Sequence, residues 1–274
     1  MWILVTELVL SGCGGGAAAR SSTTPQQVAL TVTDTTPPPG VSVPGAHWIK
    51  INGAGGLANS EQVAAVFRPP GQGPFPLVIE LHGGRGLKDV DVEWAARLAA
   101  AGFVTLAGCW QNSTGPPNTA RFYELTLTFI ECPRMLATSK DAIAALIAVG
   151  RKQPGVRSDA VGVYGMSDGG QAALGTVARQ HDIRAAAVDS GADQFTPEAS
   201  MINAPVLVLA GTADPYASFT AQKTCVEAWQ QARKDVEWHY YEGGRQVLIL
   251  DPANKDDATR RVIDFLTRRL KAGT

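Results

Sequence analysis

The stretch "AVGVYGMSDGG", Ala160 to Gly170, constrains the fold more than any other part of the chain. Its first half is an uncharged run of β-branched and small residues, the pattern of a strand buried on both faces. It passes without a spacer into the helical pattern "SDGGQAALGTVARQ". A strand that turns directly into a helix needs a sharp corner, and the corner residue, Ser167, takes strained backbone angles there. Gly165 and Gly169 let the neighbouring backbone approach without a Cβ clash. As five letters, Gly165-Met166-Ser167-Asp168-Gly169 recurs by chance. In a strand-turn-helix setting it lifts the Ser167 hydroxyl clear of the sheet and aims a helix N-terminus at it. Ser167 is therefore the candidate nucleophile.

The elements around this corner alternate. "HWIKI" and "QVAAVFRP" read as a leading antiparallel pair, and "PLVIELHGG" as a strand buried on both faces. The helix "VEWAARLAAAG" closes at Gly102, the strand "FVTLAGC" follows, and "SKDAIAALIAVGRK" is a helix capped by Ser139. After the corner come "IRAAAVD", "APVLVLAG", a helix around "FTAQKTCVEAWQQARK", the strand "VEWHYYE" and a closing helix "ATRRVIDFLTRRL". Such alternation predicts an α/β fold: a doubly wound, mostly parallel sheet with helices on both faces and right-handed crossovers. Ligand sites in these sheets lie at the carboxyl ends of the strands. That places the chemistry at His82–Gly86, Ser167, Asp189, Asp214 and the segment after Glu242.

In "LHGGRG", Leu81 to Gly86, small residues leave backbone N–H groups free to face a developing oxyanion. One donor is expected near Gly84 and the second at the amide of Asp168. His82 is read as orienting this loop rather than as a base. Asp214, in "GTADPYA", follows a late strand and suits the acid of a catalytic triad. Asp189, one strand earlier, is the alternative.

At 274 residues, 45% hydrophobic and 18% charged, the chain can bury a sizeable core in one domain. A net charge of -1 gives no electrostatic reason for a nucleic-acid or anionic-membrane partner. No stretch of about 20 apolar residues is present to span a bilayer. Residues 1–13, "MWILVTELVLSGC", look like an export segment, and "LSGC" resembles the lipobox of bacterial lipoproteins, making Cys13 the candidate lipidated residue. The lack of Lys or Arg before the apolar run, and Glu7 within it, depart from that pattern. Residues 14–43, rich in Gly, Ser, Thr and Pro, are read as a flexible tether, and 44–274 as the folded domain. In an exported protein Cys109 and Cys132 are expected to pair and pin the irregular segment between them, leaving Cys225 as a buried free thiol. No Cys or His spacing fits a metal, and no cofactor is expected.

Together the serine corner, the "HGG" loop, the "GTADP" acid and the element order resemble the α/β-hydrolase fold, in particular its dienelactone-hydrolase-like branch, over about Ala46 to Leu270. The family's namesakes carry a cysteine nucleophile where this chain has Ser167, so the resemblance implies serine esterase chemistry. It also implies a catalytic histidine in a pattern like Tyr-x-Gly-x-x-His after the last core strand. Here that pattern reads Tyr241-Glu242-Gly243-Gly244-Arg245-Gln246. An amide has no usable basicity near neutral pH, so Gln246 cannot take the serine proton. His239 is seven residues away, about 23 Å of extended chain, and neither His181 nor His47 is placed to substitute.

No lid domain is inserted after the nucleophile, so an open cleft is expected. The segment "CWQNSTGPPNTARFYELTLTFIECP" offers Trp110, Phe122 and Tyr123 as walls of a substrate pocket, or as residues that pack the loop down. Two functions follow: a carboxylic-ester or thioester hydrolase impaired at its base, or a catalytically silent, surface-anchored binding protein. The expected partner is a small-molecule ester, with a membrane met only through a lipid anchor, and the expected location is the bacterial cell envelope.

Overall fold

A computed structural model describes residues 28–112, 119–133, 135–193 and 197–271. The expected export segment, Cys13 and the first part of the expected tether lie outside these residues.

The strands are β1 (Thr31–Asp34), β2 (His47–Asn52), β3 (Glu61–Phe67), β4 (Phe75–Leu81), β5 (Val104–Gly108), β6 (Thr119–Phe122), β7 (Leu125–Thr128), β8 (Val156–Met166), β9 (Ala185–Asp189), β10 (Val206–Gly211) and β11 (Val236–Tyr241). The helices are α1 (Asp89–Ala100), α2 (Ser139–Arg151), α3 (Asp168–Arg179), α4 (Phe219–Gln231) and α5 (Lys255–Leu270). Nine strands form one sheet in the order β1-β2-β3-β5-β4-β8-β9-β10-β11. The first three pairings, β1 with β2, β2 with β3 and β3 with β5, are antiparallel, and the rest of the sheet is parallel.

The central strands are apolar throughout because both faces are covered. Along β4, Leu77, Ile79 and Leu81 face one core and Val78 the other. The first core takes in α2, α3 and α4, through side chains such as Leu146, Leu174 and Trp229. The second is closed by α5 through Val262, Phe265 and Leu266. Burying each such side chain contributes about 1.5–3 kcal/mol. No helix among the described residues is long and apolar enough to cross a membrane.

Four details differ from the sequence reading. The expected tether is not a tether throughout, because Thr31–Asp34 pairs with Ile49–Asn52 as an edge strand and Val41 is buried. Threonine and valine suit an exposed edge, which needs no apolar run for a signal. The cap of α2 is Thr138, whose side chain accepts from the Asp141 amide, and not Ser139. The segment after Cys109 holds a hairpin, β6 with β7, paired Thr119↔Thr128 to Phe122↔Leu125. Cys109 and Cys132 are bonded, with Cα atoms 5.8 Å apart, and close the base of that insertion. Cys225 is free, and half-buried rather than buried.

Candidate functional site

The carboxyl ends of β4, β8, β9, β10 and β11 bring the sequence-predicted residues to one edge of the sheet. Ser167 sits between β8 and α3 with φ 53° and ψ -121°, the strained corner expected of it. The close approach leaves no room for side chains: a Cβ on Gly169 would lie 1.8 Å from the Leu81 carbonyl oxygen, and one on Gly165 2.0 Å from the Gly169 oxygen. The Ser167 amide donates to the Asp189 carbonyl at 2.8 Å.

Gly83, Gly84, Ser167 and Asp168 line one cavity of about 360 Å³. His82 is fully buried beneath that loop, its Nδ1 donating to the Gly83 carbonyl at 2.9 Å. Burial, helped by the nearby Lys88 charge, lowers its imidazole to about 3, so it stays neutral and structural. Trp110 packs against it, ring centroids 5.2 Å apart with the planes tilted by 32°, and donates from Nε1 to the His82 carbonyl at 3.1 Å. Trp110 is thus a support of the glycine loop and does not line the cavity. Of the three aromatics expected as pocket walls, only Phe122 does so, joined by Leu127, Phe129 and Val247.

Gln246 also lines this cavity, and its Nε2 donates to Ser167 Oγ at 2.9 Å. The Tyr123 hydroxyl donates to the Gln246 backbone carbonyl, and the Arg245 guanidinium lies 4.9 Å over the Tyr123 ring. Tyr123 therefore holds the loop that carries Gln246 rather than walling the pocket. All four histidines are described, and none lines the cavity: His47 meets Asp34, His82 lies under the glycine loop, His181 follows α3, and His239 meets Arg261.

Asp214 follows β10 in a loop packed on the Gln246 loop, where the Ala213 amide donates to the Gly244 carbonyl at 2.9 Å. Its Oδ1 accepts from the amides of Tyr216 (2.8 Å) and Ala217 (2.9 Å). Its Oδ2 is buried without a hydrogen-bond partner among the described residues. Burial raises this carboxyl above its ordinary value, more than the two amides lower it. Asp189, the alternative acid, has both oxygens in use: Oδ1 accepts from the Leu248 amide (2.9 Å) and Ser190 Oγ (3.0 Å), and Oδ2 from the Ile249 amide (3.1 Å). The sequence reading missed this role, because its partners are backbone amides about sixty positions away. No group of His, Cys, Asp and Glu among the described residues could hold a metal ion.

The dienelactone hydrolase family profile matches residues 63–268. Among curated proteins, mouse acyl-coenzyme A thioesterase 3 is 31% identical over 129 residues, 47% of this chain and 26% of that protein. Mouse bile acid-CoA:amino acid N-acyltransferase is 31% identical over 128 residues, 46% of this chain and 26% of that protein. The chain thus spans about a quarter of the length of these relatives. Among solved structures, a putative dienelactone hydrolase from Klebsiella pneumoniae superposes with TM-score 0.60 at 17% identity, covering 88% of this chain and 99% of that one. A dienelactone-hydrolase-like promiscuous phosphotriesterase from metagenomic libraries gives 0.64 at 16% identity, with the same coverage. An acylaminoacyl peptidase from Pyrococcus horikoshii gives 0.61 at 14% identity, covering 78% of this chain and 40% of that one. These structures share the α/β-hydrolase fold, and the match over residues 63–268 shows that this chain belongs to the dienelactone hydrolase family.

Proposed function

We propose that the chain is built to hydrolyse carboxylic esters or thioesters through Ser167, with turnover strongly impaired by Gln246 at the position of the base. The supporting observation is the 2.9 Å hydrogen bond from Gln246 Nε2 to Ser167 Oγ, which puts position 246 within reach of the nucleophile. In the reaction, Ser167 Oγ attacks the substrate carbonyl while a base at 246 takes its proton. The developing oxyanion is held by the amides of Gly84 and Asp168. The base then returns the proton to the departing alcohol or thiol, and water releases the acyl group by the same route. Asp214 orients and charge-stabilises the base. In triad hydrolases, loss of the histidine costs on the order of 10⁶-fold in turnover. The thioesterase and N-acyltransferase relatives favour acyl-transfer chemistry for this site without fixing a leaving group.

The same hydrogen bond favours a second reading, a silent binding protein, because it ties up the Ser167 hydroxyl. The unmodified chain and Gln246→His should be compared on short p-nitrophenyl esters and with a fluorophosphonate label. A gain of at least 10³-fold on substitution supports the hydrolase reading. Failure of both proteins to react favours the binding reading, and high activity in the unmodified chain overturns the role of position 246. For location, the "LSGC" motif supports export to the bacterial envelope with Cys13 lipidated. Mass spectrometry of the mature N-terminus tests it, and an unprocessed Met1 would end that proposal.

A further inference from the structure

The loop bearing Gln246 is held by a carboxylate that the proposed chemistry does not use. Asp189 is fully buried at the end of β9. Its two oxygens take the amides of Leu248 and Ile249, and Ser190 Oγ both donates to Asp189 Oδ1 and accepts the Val247 amide at 2.9 Å. Three consecutive amides after Gln246 thus end on two consecutive residues of one strand end. The backbone carbonyl of Asp189 meanwhile accepts the Ser167 amide at 2.8 Å. One residue therefore grips the nucleophile corner through its main chain and the loop of position 246 through its side chain. The grip has work to do, because Val247 is held at φ 59°, a left-handed conformation unfavourable for a β-branched side chain. Such a conformation persists only where its surroundings over-determine it.

We infer that Asp189 is a positioning residue that sets the side chain at 246 against Ser167, while leaving the triad acid's place to Asp214. The inference rests on the reading of position 246 given above. Charge-assisted bonds to backbone amides are short, directional and roughly twice as strong as neutral ones, which suits a clamp. Burial raises the Asp189 carboxyl to about 6, and its three donors offset only part of that desolvation.

Two measurements test the clamp. In the unmodified chain, NMR of the Gln246 side-chain amide reports its bond to Ser167, and amide exchange reports Leu248 and Ile249. Asp189→Asn keeps the size but turns one acceptor into a donor facing an N–H. It is expected to move the Gln246 side-chain resonances to free-amide positions and to speed exchange of both backbone amides by at least 10-fold. Unchanged Gln246 resonances would overturn the inference. In the Gln246→His background, Asp189→Asn is expected to lower kcat by roughly 10–100-fold with KM within about 2-fold, since small misplacements cost that much. An unchanged kcat, or a loss that merely follows thermal stability, overturns it as well. If Gln246→His has no activity, the hydrolase reading falls while the NMR measurement still decides the clamp. Should Asp189→Asn not fold, Ser190→Ala removes one donor and one acceptor of the same clamp and is read by the same signals.

Discussion

Gln246 and Ser167 are joined by a hydrogen bond in which the amide nitrogen donates and the serine oxygen accepts, at 2.9 Å. A base would have to accept the serine proton, so the bond runs in the wrong direction for catalysis. Any residual esterase activity of the unmodified chain must then draw on hydroxide. Its kcat/KM is expected to rise about tenfold per pH unit from 7 to 9 with no inflection near an imidazole pKa. Gln246→His should introduce such an inflection, near the ordinary histidine value of about 6.5. A pH–rate profile for each protein checks this.

Asp214→Asn should be harmless to the fold of the unmodified chain. Its Oδ1 can keep the amides of Tyr216 and Ala217, and the raised carboxyl with an unpartnered Oδ2 is replaced by a neutral group. Thermal melts at neutral pH are expected to shift little, because the charge is removed while the position keeps an unpartnered buried polar atom. In the Gln246→His background the same substitution should cost on the order of 10⁴-fold in kcat.

The disulfide between Cys109 and Cys132 closes a sequence separation of 23 residues. By chain-entropy arithmetic it stabilises the fold by about 3.5 kcal/mol. The double variant Cys109→Ala and Cys132→Ala should melt roughly 10 °C lower. It should also loosen the Phe122, Leu127 and Phe129 wall, read as faster amide exchange across β6 and β7.

His82 is lowered from 6.5 to about 3 by burial and by Lys88. Its ring resonances are expected to stay in the neutral position from pH 8 to pH 4.5. Between its two pKa values the unfolded chain binds a proton that the folded chain does not, so stability falls as pH drops from 6.5 towards 3. This contribution is on the order of a few kcal/mol. Urea melts across that range, compared with His82→Asn, would show it as a slope that the variant lacks.

The parallel half of the sheet was legible because it is written locally: continuous apolar strands, helices with one apolar face, and glycines where backbones meet. The Ser167 corner and the glycine loop after β4 were legible for the same reason, and Gln246 stood out against the expected spacing. What escaped was long-range or polar. Thr31–Asp34 has no apolar run, and "TARFYELTLT" alternates too weakly to announce a hairpin. The Tyr123 bond to Gln246 spans 123 positions, and the Asp189 bonds to Leu248 and Ile249 span 59 and 60. No periodicity encodes such partners, because each depends on where the folded sheet sets its strand ends. Trp110 was expected in the pocket on its position in the chain alone, and its indole instead settled on His82.

The hairpin of β6 and β7 does two jobs at once: Phe122 and Leu127 face the cavity, while the adjacent Tyr123 grips the main chain at Gln246. The wall of the cavity and the tie to the main chain at position 246 therefore belong to one hairpin. A molecule too bulky for the chamber would lift the hairpin, pull on the Tyr123 hydroxyl and drag position 246 away from the serine. Size discrimination would then register as a change in reactivity at Ser167, even for guests that bind well.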